Sequence, residues 1–386
     1  MKESIRIRNV GPLTNVAIDD IRPLTVLIGE SASGKSTLMK AIDLMRYIYK
    51  MANIRCYLKN ANITKSPFRF SFKSLLQDDL RNDITEKSDI EYTVEINGRK
   101  YVSTFKNNRL TVETEIPNED LVFIKESFIA ESRSLIPTWI MQKSGEARMG
   151  YYFNETYQDF NYATDASAVQ ALDLFGLEMT VNKTSDKGKK IMVKPADGSY
   201  EPLELRYASS GIQTTAPLVA IVRYFASDFS FKDAFRRSVL DYLFTQDRMS
   251  QYRPEIEFTD MPRFVNIHIE EPELSIYPTM QCQLMNELVK TAFHSCKQDR
   301  RLTLMMATHS PYIINYLNLL LQAGYSENGK NAYPYLRPDD VDVYKIENGK
   351  IESLMSTDNN TGRIVVDTLD LSEPMEQIYE EFTNLE

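Results

Sequence analysis

The chain has 386 residues, 42% hydrophobic and 26% charged, enough for a large packed core in an ordinary globular protein. No apolar run approaches the roughly 18 residues of a membrane span, and the N-terminal MKESIRIRNV lacks the apolar centre of a signal peptide. A formal charge of −9 argues against a surface built throughout for nucleic acid.

Cys56, Cys282 and Cys296 are odd in number and unevenly spaced, which suggests neither a disulfide framework nor a CxxC metal site. A cytoplasmic protein with reduced thiols is the expectation. Two basic stretches interrupt the acidic background: Arg55, Lys59, Lys65, Arg69 and Lys73, then Lys183, Lys187, Lys189, Lys190 and Lys194. They read either as solvated faces or as a local groove for nucleic acid.

In chain order, IRIRNV alternates like a strand and meets a break at Gly11 and Pro12. NVAIDDI follows as a second short strand, and PLTVLIG as a buried one that runs into a glycine loop. STLMKAIDLMRYIYKMA then has helical spacing, with Leu38, Ile42, Met45 and Ile48 on one face. IEYTVEINGRKYVSTF predicts a hairpin turning at Asn97 and Gly98. RLTVETEI and LVFIKESF predict further strands, and YYFNETYQDFNYATDASAVQALDLFG a largely helical stretch. KKIMVKPADGSYEPLEL predicts a hairpin at Asp197 and Gly198. Beyond it SSGIQTTAPLVAIVRYFA opens a helix, RFVNIHIEEPE is a buried strand with an acidic end, and PTMQCQLMNELVKTAFHSC is helical. RLTLMMATHSP repeats the pattern of strand then polar end, and VDVYKIENGKIESL closes with a hairpin at Asn348 and Gly349.

Strands alternating with helices imply an α/β fold with a mixed or parallel sheet flanked by helices. The expected organisation is one head domain made of residues 1–50 and 200–386. Residues 51–199 would form an inserted α+β subdomain of hairpins and helix.

The stretch GESASGKS matches G-x-x-x-x-G-K-[ST] at Gly29, Gly34, Lys35 and Ser36, after an apolar strand and before a helix. Backbone N–H groups of such a loop, with the helix N-terminus, close around phosphates. Lys35 is expected to bridge the β- and γ-phosphates of ATP, and the Ser36 hydroxyl to ligate Mg²⁺. Ser31, Ser33 and Thr37 belong to the same phosphate-binding set. VNIHIEEPE ends a buried strand in adjacent Glu270 and Glu271, at the sheet edge where ligands bind in open α/β folds. Glu270 suits the Mg²⁺ shell, and Glu271 can polarise an attacking water. His309 of MATHSP ends the next strand, within reach of the γ-phosphate or that water. SSGIQTTAP places Ser210 and Gly211 at a helix start, a second anion-binding end whose nucleotide would be held by a partner subunit.

These four pieces in this order resemble ABC-type ATPases, and more narrowly the RecF/SMC-like and OLD-like group. The resemblance implies a head-to-head dimer in which Ser210 and Gly211 reach the γ-phosphate bound by the other protomer. EEPE followed by LSIYP, together with THSP, is similar to the OLD-like pattern. AESRSLI is similar to an AERSL-type segment, in which Arg133 would contact phosphate or the interface. Three departures stand out: Ser31 and Ala32 occupy positions where relatives carry Asn-Gly, the signature helix lacks its leading leucine, and no Q-loop glutamine is placed. OLD-like nucleases add a Toprim domain, whereas about 75 residues follow THSP here. The pattern therefore resembles the stand-alone ATPases of the Septu and PARIS antiphage systems, which work with a separate effector, an HNH nuclease or a Toprim protein. A toxin effector is a further option. Two other readings stay open: a RecF-like clamp that binds DNA, and a nucleotide-binding sensor with little turnover.

Overall fold

The computed structural model describes residues 1–63, 75–76, 78–140, 149–183 and 188–384. Lys65, Arg69, Lys73 and Lys187 of the basic stretches lie outside these described residues.

An 11-stranded sheet organises the molecule. Its strands, in chain order, are β1 (Lys2–Val10), β2 (Leu13–Ile18), β3 (Leu24–Ile28), β4 (Ile84–Ile96), β5 (Arg99–Lys106), β6 (Arg109–Thr111) and β7 (Phe123–Ile129). Four short strands, β8 (Val169–Leu172), β9 (Leu177–Lys183), β10 (Lys189–Pro195) and β11 (Leu203–Glu204), make a separate antiparallel sheet. The main sheet resumes with β12 (Arg263–Glu270), β13 (Arg301–Thr308), β14 (Val341–Glu347) and β15 (Lys350–Ser353). Its spatial order is β6-β5-β4-β1-β2-β15-β14-β3-β13-β12-β7.

The two halves of this sheet follow different rules. From β14 to β7 neighbouring strands run parallel, and β3, β12 and β13 are almost continuously buried. Both faces are therefore covered, as parallel strands require. On the other side, β4, β1 and β2 pair antiparallel, and β4 alternates buried and half-buried positions, with one wet face. The turns at Asn97-Gly98 and Asn348-Gly349 have positive φ throughout, the conformation that tight two-residue hairpins demand.

The longer helices are α1 (Lys35–Asn60), α2 (Tyr151–Ala166), α3 (Ser210–Arg223), α4 (Pro278–Val289), α5 (Pro311–Gly324) and α6 (Leu369–Asn384). Helix α1 continues past the expected end and is buried nearly all round. Besides Leu38, Ile42, Met45 and Ile48 it encloses Asp43, Arg46 and Asn53. Strands β4 to β7, within the expected 51–199 insertion, are members of the main sheet. What stands apart from that sheet is the four-stranded unit of residues 169–204, with α2 leading into it. The strand expected over RLTVETEI shrinks to Arg109–Thr111.

Candidate nucleotide site

Strand β3 delivers the chain into the loop at residues 29–34, and α1 starts at once behind it. Gly34 precedes the helix at φ 106, and a Cβ there would come within 2.6 Å of Leu13 Cδ2. The residue must be glycine for the loop to pack on the β1–β2 turn. No side chain caps the α1 N-terminus, so the first-turn N–H groups remain available to an anion. Lys35 Nζ instead donates to the carbonyls of its own loop, Gly29 at 2.8 Å and Glu30 at 2.7 Å. Burial lowers the Lys35 pKa, opposed by the charges of Glu271 and Glu273. An arriving phosphate would restore the favourable field for the ammonium. Ser33 Oγ is buried without a partner, a polar atom at the loop awaiting one.

The parallel order brings the acidic strand and the histidine strand beside this loop. Pro12, Ser31, Ala32, Gly34, Lys35, Ser36, Thr37, Glu131, Glu270, Glu271, Ala307 and His309 line one cleft of about 560 Å³. Gly29 and Ser33 line a neighbouring cleft of about 350 Å³ against the β14–β15 hairpin. Ser36 and Glu270 face the first cleft together, and a hydroxyl with a carboxylate fits the oxygen preference of Mg²⁺. The Glu270 Oε1 lies 3.5 Å from Lys40 Nζ, and Oε2 accepts the Glu131 N–H at 3.3 Å. Thr37 donates its hydroxyl to Asp83 at 3.0 Å, which ties the helix start to the segment before β4.

Glu271 steps off β12 at φ 43, while its N–H still donates to the Ala307 carbonyl at 2.8 Å. That kink sets its carboxylate 3.7 Å from His309 Nε2. Glu273 accepts the His309 backbone N–H at 2.6 Å. Ser310 caps α5 by accepting the Ile313 N–H, so THSP both ends a strand and starts a helix.

Arg133 departs from the expected phosphate or interface contact. It is fully buried, with Nε on the Thr214 carbonyl at 3.0 Å and Nη1 on those of Ala130 at 3.1 Å and Glu270 at 2.7 Å. Nη2 reaches the Glu271 carbonyl at 2.5 Å. Burial brings its pKa down to about 10, with the nearby glutamates acting the other way. A guanidinium that gives four of its five N–H donors to carbonyls and is wholly buried presents no open face to a phosphate. Its role is to fix the ends of β7 and β12 to helix α3.

Ser210 and Gly211 begin α3 as expected, but they are not among the residues lining the cleft. Ser209 and Ser210 are exposed, while Gly211 is buried against the turn after β12. Sequence reasoning missed Lys40, Glu131 and Asp83. For Glu131 a signal existed, since it follows the end of β7 by two residues, much as Glu270 ends β12; the ion pair of Lys40 and the bond of Asp83 depend on tertiary packing.

Fold and site together define a mixed α/β domain whose large sheet, flanked by helices, sets a phosphate-loop motif beside an acidic strand end. Residues 4–191, just under half of the chain, match the family model of an AAA domain. No curated protein matches the chain. Solved structures similar to it include the SMC head domain from Thermotoga maritima, at 12% identity and TM-score 0.37, covering 91% of this chain and 97% of that one. Another is the Smc head domain with an extended coiled coil bound to the C-terminal domain of ScpA, derived from Pyrococcus furiosus, at 10% identity and TM-score 0.40, covering 98% of each chain. The recombination mediator RecF with ATP matches at 9% identity and TM-score 0.39, over 92% of this chain and 99% of that one. Among the described residues no helix is long and apolar enough to cross a membrane.

Proposed function

We propose that this protein hydrolyses Mg-ATP in a site completed by a second copy of the chain, and that pairing of the two copies controls a separately encoded effector in antiphage defence. The observation that carries the composite site is the position of the α3 start. Its serines are exposed and do not line the chain's own cleft, yet the helix base is bonded to the acidic strand end through Arg133 and to the turn after it through Thr214. A phosphate of the partner's nucleotide would meet Ser210 at a helix N-terminus. The bound magnesium would supply charge neutralisation on the phosphate chain, with Ser36 and Glu270 as its holders. Glu271 would take the proton of the attacking water, and His309 beside it would orient that water or the γ-phosphate. The effector and defence roles draw their support from the EEPE and THSP resemblance.

The test is mass in solution with and without Mg-ATP, for wild type and Glu271→Gln. The variant should double in mass only with ATP, because it closes but does not hydrolyse. A mass unchanged by ATP in both proteins counts against the composite site.

A further inference from the structure

Under α1, on the same face of β12 as Glu270 but deeper along the strand, three buried donors from three elements converge. Asp43 comes from α1, Glu126 from β7 and His268 from β12, and one ligand atom of each lies within 4.8 Å of the other two. His268 Nδ1 stands 3.5 Å from Asp43 Oδ1 and 3.9 Å from Glu126 Oε2. These distances are too long for good hydrogen bonds. They are a few tenths of an ångström wider than the separation of about 3.3 Å between donors on one tetrahedral Zn²⁺. His268 is 0% exposed and Glu126 5%, and the atoms facing this point, His268 Nδ1 and Glu126 Oε2, have no hydrogen-bond partner. The other Glu126 oxygen is satisfied by the Asn266 amide at 2.8 Å. Buried polar atoms are rarely left unpaired, so two orphans aimed at one point call for a missing occupant.

Charge gives the same answer. Around the cluster Arg46 is matched by Glu3, and Lys125 by Asp159. Asp43, Glu126 and Glu155 then share the single ammonium of Lys50. Carboxyls outnumber cations at this point, an imbalance that either protons or a bound cation would offset. Arg46 Nη1 lies 3.4 Å from His268 Nε2, at the outer limit of a hydrogen bond, while Nε and Nη2 of the same guanidinium are taken by Glu3. The ring nitrogen that faces the carboxylates is thus the unpartnered one.

We propose that Asp43, Glu126 and His268 bind a divalent transition-metal ion, of the Zn²⁺ or Mn²⁺ class, as a structural centre separate from the nucleotide magnesium. One imidazole with two carboxylates is a donor set that such ions accept, whereas Mg²⁺ keeps several waters and prefers oxygen alone. The ion would pin the helix behind the phosphate loop to the strand that carries Glu270 and Glu271. With every donor buried, it is taken up as the chain folds.

The experiment uses the full chain, nucleotide-free and desalted, expressed in media supplemented with Zn²⁺ or with Mn²⁺. Metal content is read by elemental mass spectrometry, and Tm by calorimetry. Wild type should carry a stoichiometric transition metal that survives desalting; Asp43→Asn and His268→Gln should lose it, with a lower Tm. Metal-free wild type from both media would overturn the proposal whether or not the variants fold. So would an Asp43→Asn protein whose Tm is unchanged or higher, because protons would then be balancing the carboxylates.

Discussion

Glu271 occupies a backbone conformation that costs a residue with a Cβ about 1–2 kcal/mol. What holds it there is specific: the Ala307 carbonyl on its N–H and the Arg133 guanidinium on its own carbonyl. Arg133 is therefore a positioning residue for the acid it never touches through a side chain. In Arg133→Lys a single ammonium cannot span carbonyls on three segments, and those left unpaired in the interior cost about 1–3 kcal/mol each. Urea denaturation should show a loss of roughly 2–4 kcal/mol. Turnover should fall while nucleotide affinity, which the phosphate loop sets, changes little. A variant that loses stability but keeps its kcat would reduce Arg133 to a fold-holding role. The opposite sign is expected at Ala32, which sits at φ 62 where relatives of the resembled group carry glycine. Ala32→Gly relieves the left-handed strain but loosens the unfolded chain, leaving a net gain of about 0.5–1 kcal/mol in the nucleotide-free protein. Calorimetry without ATP reads that gain.

At the scale of elements, helix α3 and the turn after β12 behave as one unit. A Cβ on Gly211 would lie 2.9 Å from the Ser275 carbonyl oxygen and 3.0 Å from Ile276 Cγ2, and Thr214 donates its hydroxyl to the Leu274 carbonyl at 2.9 Å. Gly211→Ala should push the helix start off that turn, at a cost of about 1–3 kcal/mol. ATP binding to the isolated chain would persist, and ATP-dependent pairing of a Glu271→Gln background would be lost. Pairing that survives the added methyl would separate the α3 start from the interface. How much of this was legible in the sequence follows from how local each cause is. The phosphate loop, the acidic strand end and THSP are contiguous signals, so their elements and their common sheet edge could be read directly. Arg133 could not, because three of its four bonds run to carbonyls 81 to 138 positions away and leave no trace in spacing. Asp43, Glu126 and His268 lie on three distant elements and sit among apolar neighbours that look like ordinary core. The expected insertion at 51–199 failed as a sheet boundary for a related reason. Its first hairpin joins the main sheet by pairing β4 with β1, which lies far back in the chain, before the phosphate loop.

For the molecule as a whole, the open question is whether any face suits nucleic acid. The chain carries −9 overall, so an attractive surface must come from a local excess of cations. The strongest stretch in sequence, residues 183–194, does not provide one among its described members. Lys183 and Lys189 both approach Asp165, at 3.6 and 3.0 Å, while Lys190 meets Glu204 and Lys194 meets Glu178, each at 2.8 Å. Lys59 of the earlier stretch likewise faces Glu115 at 3.3 Å. A lysine already beside a carboxylate releases few counterions on meeting a phosphate backbone, so the salt-dependent part of binding should be small. Fluorescence anisotropy with duplex DNA at about 0.15 M salt should accordingly show affinity no tighter than the micromolar range typical of nonspecific contact. Lys190→Ala with Lys194→Ala should leave it nearly unchanged. The measurement belongs on the ATP-bound Glu271→Gln protein, since pairing of two chains can join patches that are separate on one. Tight binding with a steep salt slope, lost on removing those two lysines, would mean that pairing rearranges the small sheet and frees its cations. The DNA clamp would then replace effector control as the output of the ATPase.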